Sequence, residues 1–209
     1  MDAVKKMDKK GHWENVYEVK QPHEVSWTQQ TPYTSLHLIN SFDLPKDTAI
    51  IDVGGGDSKL VDFLLDAGYT DITVLDISAK ALDRAKQRLG AKAAMVKWIV
   101  CDVTQFMPDR KYGLWHDRAA FHFLTAKEDI EYYKNCIEKS VIGYMIIGAF
   151  SETGPKKCSG LDIKQYSEDE MQEQFNPVFE KLNCIKEEHT TPFNTTQDFI
   201  FCSFKRRDN

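Results

Sequence analysis

The sequence predicts an α/β protein, with a mainly parallel sheet covered by helices on both faces and a C-terminal antiparallel β-hairpin. Three observations carry this expectation. From residue 48 onward, β-branched and aliphatic runs alternate with helix-patterned stretches, the rhythm of strand-helix-strand crossovers. The first such unit breaks into three consecutive glycines, Gly54, Gly55 and Gly56. The last two strand-like runs are joined by the polar connection HTTPFNTT, with no helical pattern between them.

Residues 1–45 precede the first strand and are read as helices or loops laid over the remainder. Residues 48–53 form the first strand. A helix follows, in which Leu60, Val61, Leu64 and Leu65 share one face and Gly68 terminates the pattern. Residues 72–77 make the second strand. Ser78 is placed to cap a helix whose stripe is Ala81, Leu82, Ala85 and Leu89, closed by Gly90. Further strands are expected over residues 96–101, 112–117 and 143–150, with a helix between residues 127 and 139. Residues 178–186 and 197–204 complete the hairpin.

Composition narrows the class. A chain of 209 residues, 42% hydrophobic, buries one substantial core, so residues 1–209 are expected to form one domain. The 27 basic against 32 acidic residues give a net charge of -5, which disfavours a nucleic-acid partner. The basic cluster Lys205, Arg206 and Arg207 reads as a solvated end. Five cysteines occur singly, with no C-x-x-C pair, as expected of reduced thiols in a cytoplasmic protein. No signal-like segment opens the chain and no apolar run approaches about 18 residues, so no membrane partner is expected.

The segment IIDVGGGDSK, residues 50–59, is the first strand-to-helix turn, where a sheet of this kind brings backbone to its ligand. A triphosphate loop needs Gly-Lys-Ser or Gly-Lys-Thr, and here the glycines are followed by Asp57. The dinucleotide pattern G-x-G-x-x-G fits at Gly54 and Gly56 but meets Lys59 at its third glycine. Asp52 and Asp57 would repel a pyrophosphate, so a cofactor bringing positive charge fits better. Asp76, ending the second strand, is placed for ribose hydroxyls, and Asp102, after the third, for an adenine amine. S-adenosylmethionine combines these features: adenine, ribose, sulfonium and ammonium without phosphate.

The segments IDVGGGDSK, VLDIS, VCDV and WHDRAAFHFL resemble the successive motifs of class I S-adenosylmethionine-dependent methyltransferases. The resemblance covers roughly residues 45–205, with Ser58 standing where the first motif has its last glycine. It implies a Rossmann-like seven-stranded sheet over residues 46–209 and an N-terminal helical cover over residues 1–45. It also implies a cofactor site of Asp52, Gly54, Gly55, Gly56 and Asp57, with Asp76 and Ile77, Asp102 and Val103, and Asp117 at the next strand ends. WENVY and SW are similar to the family's aromatic lid, which would place Trp13, Tyr17 and Trp27 over the cofactor; the alternative is that they only pack the first helices.

Methyl transfer is an in-line displacement needing alignment, a water-poor pocket and a base only where the acceptor is protonated. At the fourth strand exit, Asp117 or His122 would position or deprotonate the acceptor and Arg118 would clamp an anionic one. The alternative pairs Arg118 with a nearby acid and His122 with a backbone group. His116 is expected to pack. Without Asp/Asn-Pro-Pro-Tyr, adenine and glutamine methylation are disfavoured, and no metal site is expected. Lys156 and Lys157, in the loop after the fifth strand, would steer an acceptor or lie in solvent; His189, Thr191 and Gln197 would line the pocket or form a turn. A small-molecule acceptor is expected first. A protein lysine is second, since the Asp117-Arg118-Ala119 run departs from the Asp-Lys-Gly of elongation-factor lysine methyltransferases. A nicotinamide oxidoreductase and an inactive cofactor-binding protein stand behind both.

Overall fold

The computed structural model describes residues 8–208, so the ends of the expected 1–209 domain, residues 1–7 and 209, lie outside it. Helices α1 (Lys9–Val19) and α2 (Tyr33–Ser41) precede β1 (Ile50–Val53). Then come α3 (Leu60–Asp66), β2 (Ile72–Asp76), α4 (Ala79–Leu89), β3 (Val96–Val100), β4 (Tyr112–Arg118), α5 (Lys127–Ser140) and β5 (Val141–Phe150). A two-stranded ribbon, β6 (Lys157–Cys158) and β7 (Leu161–Asp162), leads to α6 (Glu168–Phe175) and the long pair β8 (Phe179–Thr190) and β9 (Thr196–Arg206).

Seven strands form one sheet in the order β3-β2-β1-β4-β5-β9-β8. β1 lies parallel to β2 and β4, and β4 parallel to β5, while β9 runs antiparallel to both β5 and β8. The chain enters at the middle of the sheet, winds outward to β3, and returns to the other side of β1 as β4. The strand order reverses there, opening a crevice beyond the carboxyl ends of β1 and β4.

The strand period of two sends neighbouring residues to opposite faces. Ile51, Trp115 and Met145 join one core with Tyr133 and Ile137 of α5 and Met171 and Phe175 of α6. Ile50, Leu114 and Ile146 join the other with Leu38 and Ile39 of α2, Leu64 of α3 and Leu82 of α4. Ser78 does cap α4, its hydroxyl accepting from Ala81 N at 3.2 Å, and Gly90 closes the helix at φ +57°.

Three expectations are corrected. The cysteines are not all free: Cys184 and Cys202 face each other in the β8–β9 register and are joined as a disulfide, leaving Cys101, Cys136 and Cys158 as thiols. Spacing along the chain could not reveal a pairing that a hairpin register creates. The hairpin strands also extend further than their apolar content, because an edge ladder is held by backbone bonds; His189 pairs with Gln197 and Thr190 with Thr196. The loop after β5 folds into the β6–β7 ribbon and α6, the helix being marked in sequence by the capping box of Ser167 and Glu170. Among the described residues no helix is long and apolar enough to cross a membrane, and no group of His, Cys, Asp or Glu could hold a metal ion.

Candidate active site

A cavity of about 360 Å³ opens at the strand-order reversal, within the range of small-ligand sites. Its floor is the glycine turn. Gly54 has φ +67°, a left-handed conformation natural to glycine, and a Cβ there would meet the Ala120 Cβ at 2.5 Å. Gly56 has φ +51° and lies under the Tyr17 hydroxyl, which a Cβ would approach to 2.6 Å. Gly54 N and Gly55 N both donate to the Leu75 carbonyl, at 2.8 and 3.2 Å, tying the turn to β2.

Carboxylates stand at successive strand ends. Asp76 is buried, and its Oδ1 accepts from Ser78 N at 2.8 Å. Burial, reinforced by the charges of Asp52 and Asp57 and opposed by the N–H groups of Ser78 and Gly56, pushes its pKa up to about 7. Asp102 accepts from Thr104 N and Oγ1 at 2.9 and 2.8 Å. Asp57 lies 3.6 Å from Arg84 Nη1, and burial raises its pKa against the pull of Arg84 and Arg88. Ile77 and Val103 line the cavity beside Asp76 and Asp102.

Asp52 serves a second purpose that the motif did not disclose. Its Oδ1 accepts from His116 Nδ1 at 2.7 Å, while His116 Nε2 meets the Ser35 hydroxyl at 2.8 Å. All three are buried on the cavity wall. With Nδ1–H given to the carboxylate, a neutral imidazole accepts from Ser35 through Nε2. His116 is thus buried as expected, but as the middle of a polar chain joining α2 to β1 and β4.

Helix α1 lies across the mouth. Trp13 packs edge-on against Trp27 and Phe123, with ring centroids 5.6 and 5.2 Å away, and Tyr17 lies 6.3 Å from Trp27. Glu14, one residue on, reaches the start of α4, accepting from Ala79 N at 2.9 Å, Ser78 Oγ at 2.8 Å and Lys80 N at 3.1 Å. Burial alone would raise the Glu14 carboxyl, but those backbone N–H groups outweigh it and hold it below its ordinary value of 4.5.

The residues after β4 divide. Asp117 is fully buried and not part of the cavity lining. Its Oδ1 accepts from Ala120 N and Phe121 N at 2.9 and 3.1 Å, and its Oδ2 from Tyr133 Oη at 2.6 Å. That arrangement fastens a turn in which Ala119 has φ +68°. Burial raises the Asp117 pKa to about 6. His122 is also absent from the lining; its Nδ1 accepts from Phe150 N at 3.3 Å, and burial, then the Arg118 charge, lowers its pKa to about 3. Arg118 does face the cavity, donating from Nη1 to the Trp27 carbonyl at 2.9 Å. Lys157 pairs with Asp162 at 3.2 Å on the surface, and His189 Nε2 meets the Ser26 carbonyl at 2.7 Å.

Of the expected site, the structure brings together Asp52, Gly54, Gly55, Asp57, Asp76, Ile77, Asp102, Val103, Trp13, Tyr17, Trp27 and Arg118 around one cavity. Gly56 lies just beneath. Ser35 and Phe123 on its wall were not singled out and His116 was expected only to pack, since a serine in a helix and a histidine in a strand carry no local signal of their partners.

Residues 50–139 match the family described as a methyltransferase domain. The sheet order and helical layers are those of the class I S-adenosylmethionine-dependent methyltransferase fold, and the matched segment runs from β1 into α5 of it. Among curated proteins it is 26% identical over 121 residues to the eEF1A lysine and N-terminal methyltransferase of Mus musculus, covering 57% of this chain and 17% of that protein. The aligned region is therefore about a sixth of the relative's length. Among solved structures it resembles one described as the conversion of a disulfide bond into a thioacetal group during echinomycin biosynthesis, with TM-score 0.77, 16% identity and 94% and 92% of the two chains covered. It also resembles the Burkholderia thailandensis 1,6-didemethyltoxoflavin-N1-methyltransferase with bound 1,6-didemethyltoxoflavin and S-adenosylhomocysteine, with TM-score 0.67, 14% identity and 95% and 87% covered. The cavity suits S-adenosylmethionine: bare glycine backbone, carboxylates at the strand ends and an aromatic cover.

Proposed function

We propose that this cavity passes the methyl group of S-adenosylmethionine to a small-molecule acceptor. The observation that carries the reading is the cover. Helix α1 and the Trp13, Trp27 and Phe123 cluster close over the cavity, leaving room for a compact acceptor.

The cofactor supplies a methyl group on a sulfonium, already a good leaving group. In this reading Asp76 holds the ribose hydroxyls, Asp102 the adenine amine, and Ile77 and Val103 the faces of the base. Gly54 and Gly55 let the amino-acid end lie against backbone. Trp13, Tyr17 and Trp27 exclude water and present ring faces to positive charge, worth about 0.5–2 kcal/mol. Asp117 and His122 shape the strand exit, since their acceptor atoms already hold backbone N–H groups. His116, the one imidazole on the wall among the described residues, has both ring nitrogens engaged, with Asp52 and Ser35, so in this reading it braces the wall.

Transfer to a protein lysine is the second reading, favoured by the partial match to the eEF1A lysine and N-terminal methyltransferase. One experiment separates the two. Protein incubated with methyl-labelled cofactor and cell extract is expected to label the small-molecule fraction; label confined to protein would reverse the order.

A further inference from the structure

Helix α4 sends two arginines, one turn apart, toward the glycine turn. Residues four apart on a helix share a face, so Arg84 and Arg88 reach the same loop. Arg88 holds the floor of the cavity: Nη1 donates to the Asp57 carbonyl and Nη2 to the Ser58 carbonyl, both at 2.7 Å, while Nη2 also meets Asp62 Oδ2 at 2.8 Å. Arg84 holds the floor and the cover together. Its Nη1 lies 3.6 Å from Asp57 Oδ2, its Nη2 donates to the Lys20 carbonyl at 2.6 Å, and its guanidinium carbon is 5.7 Å from the centre of the Tyr17 ring.

The Lys20 carbonyl is a helix-end group. Lys20 caps α1, whose last turn carries no basic residue, and the carbonyls at such an end have no partner within their own helix. A cation placed there satisfies a free carbonyl and faces the negative end of the helix dipole. α1 receives that cation from α4, while Glu14 of α1 covers N–H groups at the start of α4, so the two helices are tied at both ends. The two ties differ in one respect. Glu14 reaches only the start of α4, whereas the Arg84 guanidinium also meets two groups that line the cavity. One is Asp57, whose side chain is 9% exposed, and the other is Tyr17, whose hydroxyl lies over Gly56. A planar guanidinium makes such contacts in several directions at once, which a lysine ammonium does not reproduce.

We propose that Arg84 is a positioning residue that couples cofactor binding to the docking of α1, and that Asp57 serves the cofactor through Arg84. This rests on reading the cavity as the cofactor site. A ligand that fixes the glycine turn and Tyr17 steadies Arg84, and with it the last turn of α1. By reciprocity, a docked α1 tightens the ligand.

The test uses the full chain, S-adenosylhomocysteine as the ligand, and the variants Arg84→Met, Arg84→Lys, Arg88→Met, Asp57→Asn and Arg84→Met combined with Asp57→Asn. Hydrogen exchange over residues 16–20 is followed in free and saturated protein, and affinity by titration calorimetry. In wild type the ligand is expected to slow exchange over residues 16–20. In Arg84→Met that protection should fall below about a third of its wild-type extent and affinity should drop by about tenfold, with Arg84→Lys intermediate. Free Arg84→Met should exchange faster than wild type over the same residues, while free Arg88→Met, which loosens the floor alone, should match wild type there. Adding Asp57→Asn to Arg84→Met should lose no further affinity, because the group it acts through is already gone. Additive losses in that pair would overturn the proposal. So would full protection of residues 16–20 in saturated Arg84→Met, equal acceleration in free Arg88→Met, or acceleration spread evenly over the whole chain in Arg84→Met, the mark of a general loss of stability. Failure of wild type to bind S-adenosylhomocysteine would count against the methyltransferase reading alone; exchange over residues 16–20 in the free variants would still decide whether Arg84 holds α1.

Discussion

The two halves of the cavity are built on opposite plans. Around the glycine turn every acid lining the cavity has a protein partner: Asp52 with His116, Asp57 with Arg84, Asp76 with Ser78 and Asp102 with Thr104. In the other half Arg118 holds one carbonyl and leaves an edge of its guanidinium unused. The first half is pre-organised, so a ligand entering it meets groups already held in place. The second holds a charged group whose Nε and Nη2 meet neither a partner among the described residues nor the open cavity.

The largest effect expected from breaking this contrast is at Asp76. Asp76→Ala should weaken S-adenosylhomocysteine by about 100-fold in titration calorimetry, the loss of charged hydrogen bonds to a diol. Unchanged affinity would remove Asp76 from the ribose site.

Acidity acts on the same carboxyl. Its pKa is raised to about 7 from an ordinary 3.8, so the folded chain binds a proton there that the unfolded chain releases. Stability of the free protein should therefore fall as pH rises from about 4 to about 7, by at most about 1.4 kcal/mol per pH unit from this group, and then level off. Asp117, raised to about 6, adds the same sign over a narrower window. Asp76→Asn should flatten the upper part of that slope in denaturant titrations across pH. Cofactor affinity runs the other way, dropping as pH falls below about 7, where Asp76 must lose a proton to accept from the ribose.

Gly54→Ala sharpens the comparison more gently. Left-handed backbone strain of about 1–2 kcal/mol and the Ala120 overlap should weaken S-adenosylhomocysteine by about tenfold. Smallest is Glu14→Ala, which removes the carboxylate that joins α1 to the start of α4. A loss of about 1 kcal/mol, or about 2–4 °C in melting temperature, is expected. Hydrogen exchange confined to α1 should accelerate; no change there would mean that the aromatic contacts alone hold the cover.

How much could be read beforehand follows the same division. IIDVGGGDSK, VLDIS and VCDV each place a strand end, a turn and an acid within a few residues, so this side of the cavity was readable segment by segment. The N-terminal aromatics were readable as a lid only by resemblance. The charge argument drawn from Asp52 and Asp57 needed refinement, because His116 and Arg84, distant in sequence, take up much of what those acids offer. Asp117 and His122 carried the right chemistry at the right strand exit, yet their acceptors hold backbone N–H groups, a use that depends on the path of the chain around Ala119.

By itself the sequence determined the alternation of strands and helices, the glycine turn, the acids at the strand ends and the polar connection of the terminal hairpin. These are local properties, set by periodicity and by the conformational freedom of a few adjacent residues. The tertiary structure alone decided the disulfide between Cys184 and Cys202, the chain from Ser35 through His116 to Asp52, the reach of Glu14 to α4 and the isolation of Arg118. Each depends on whether groups tens of residues apart come within hydrogen-bonding or bonding distance, and on how much water remains around them. Neither is encoded in any single stretch.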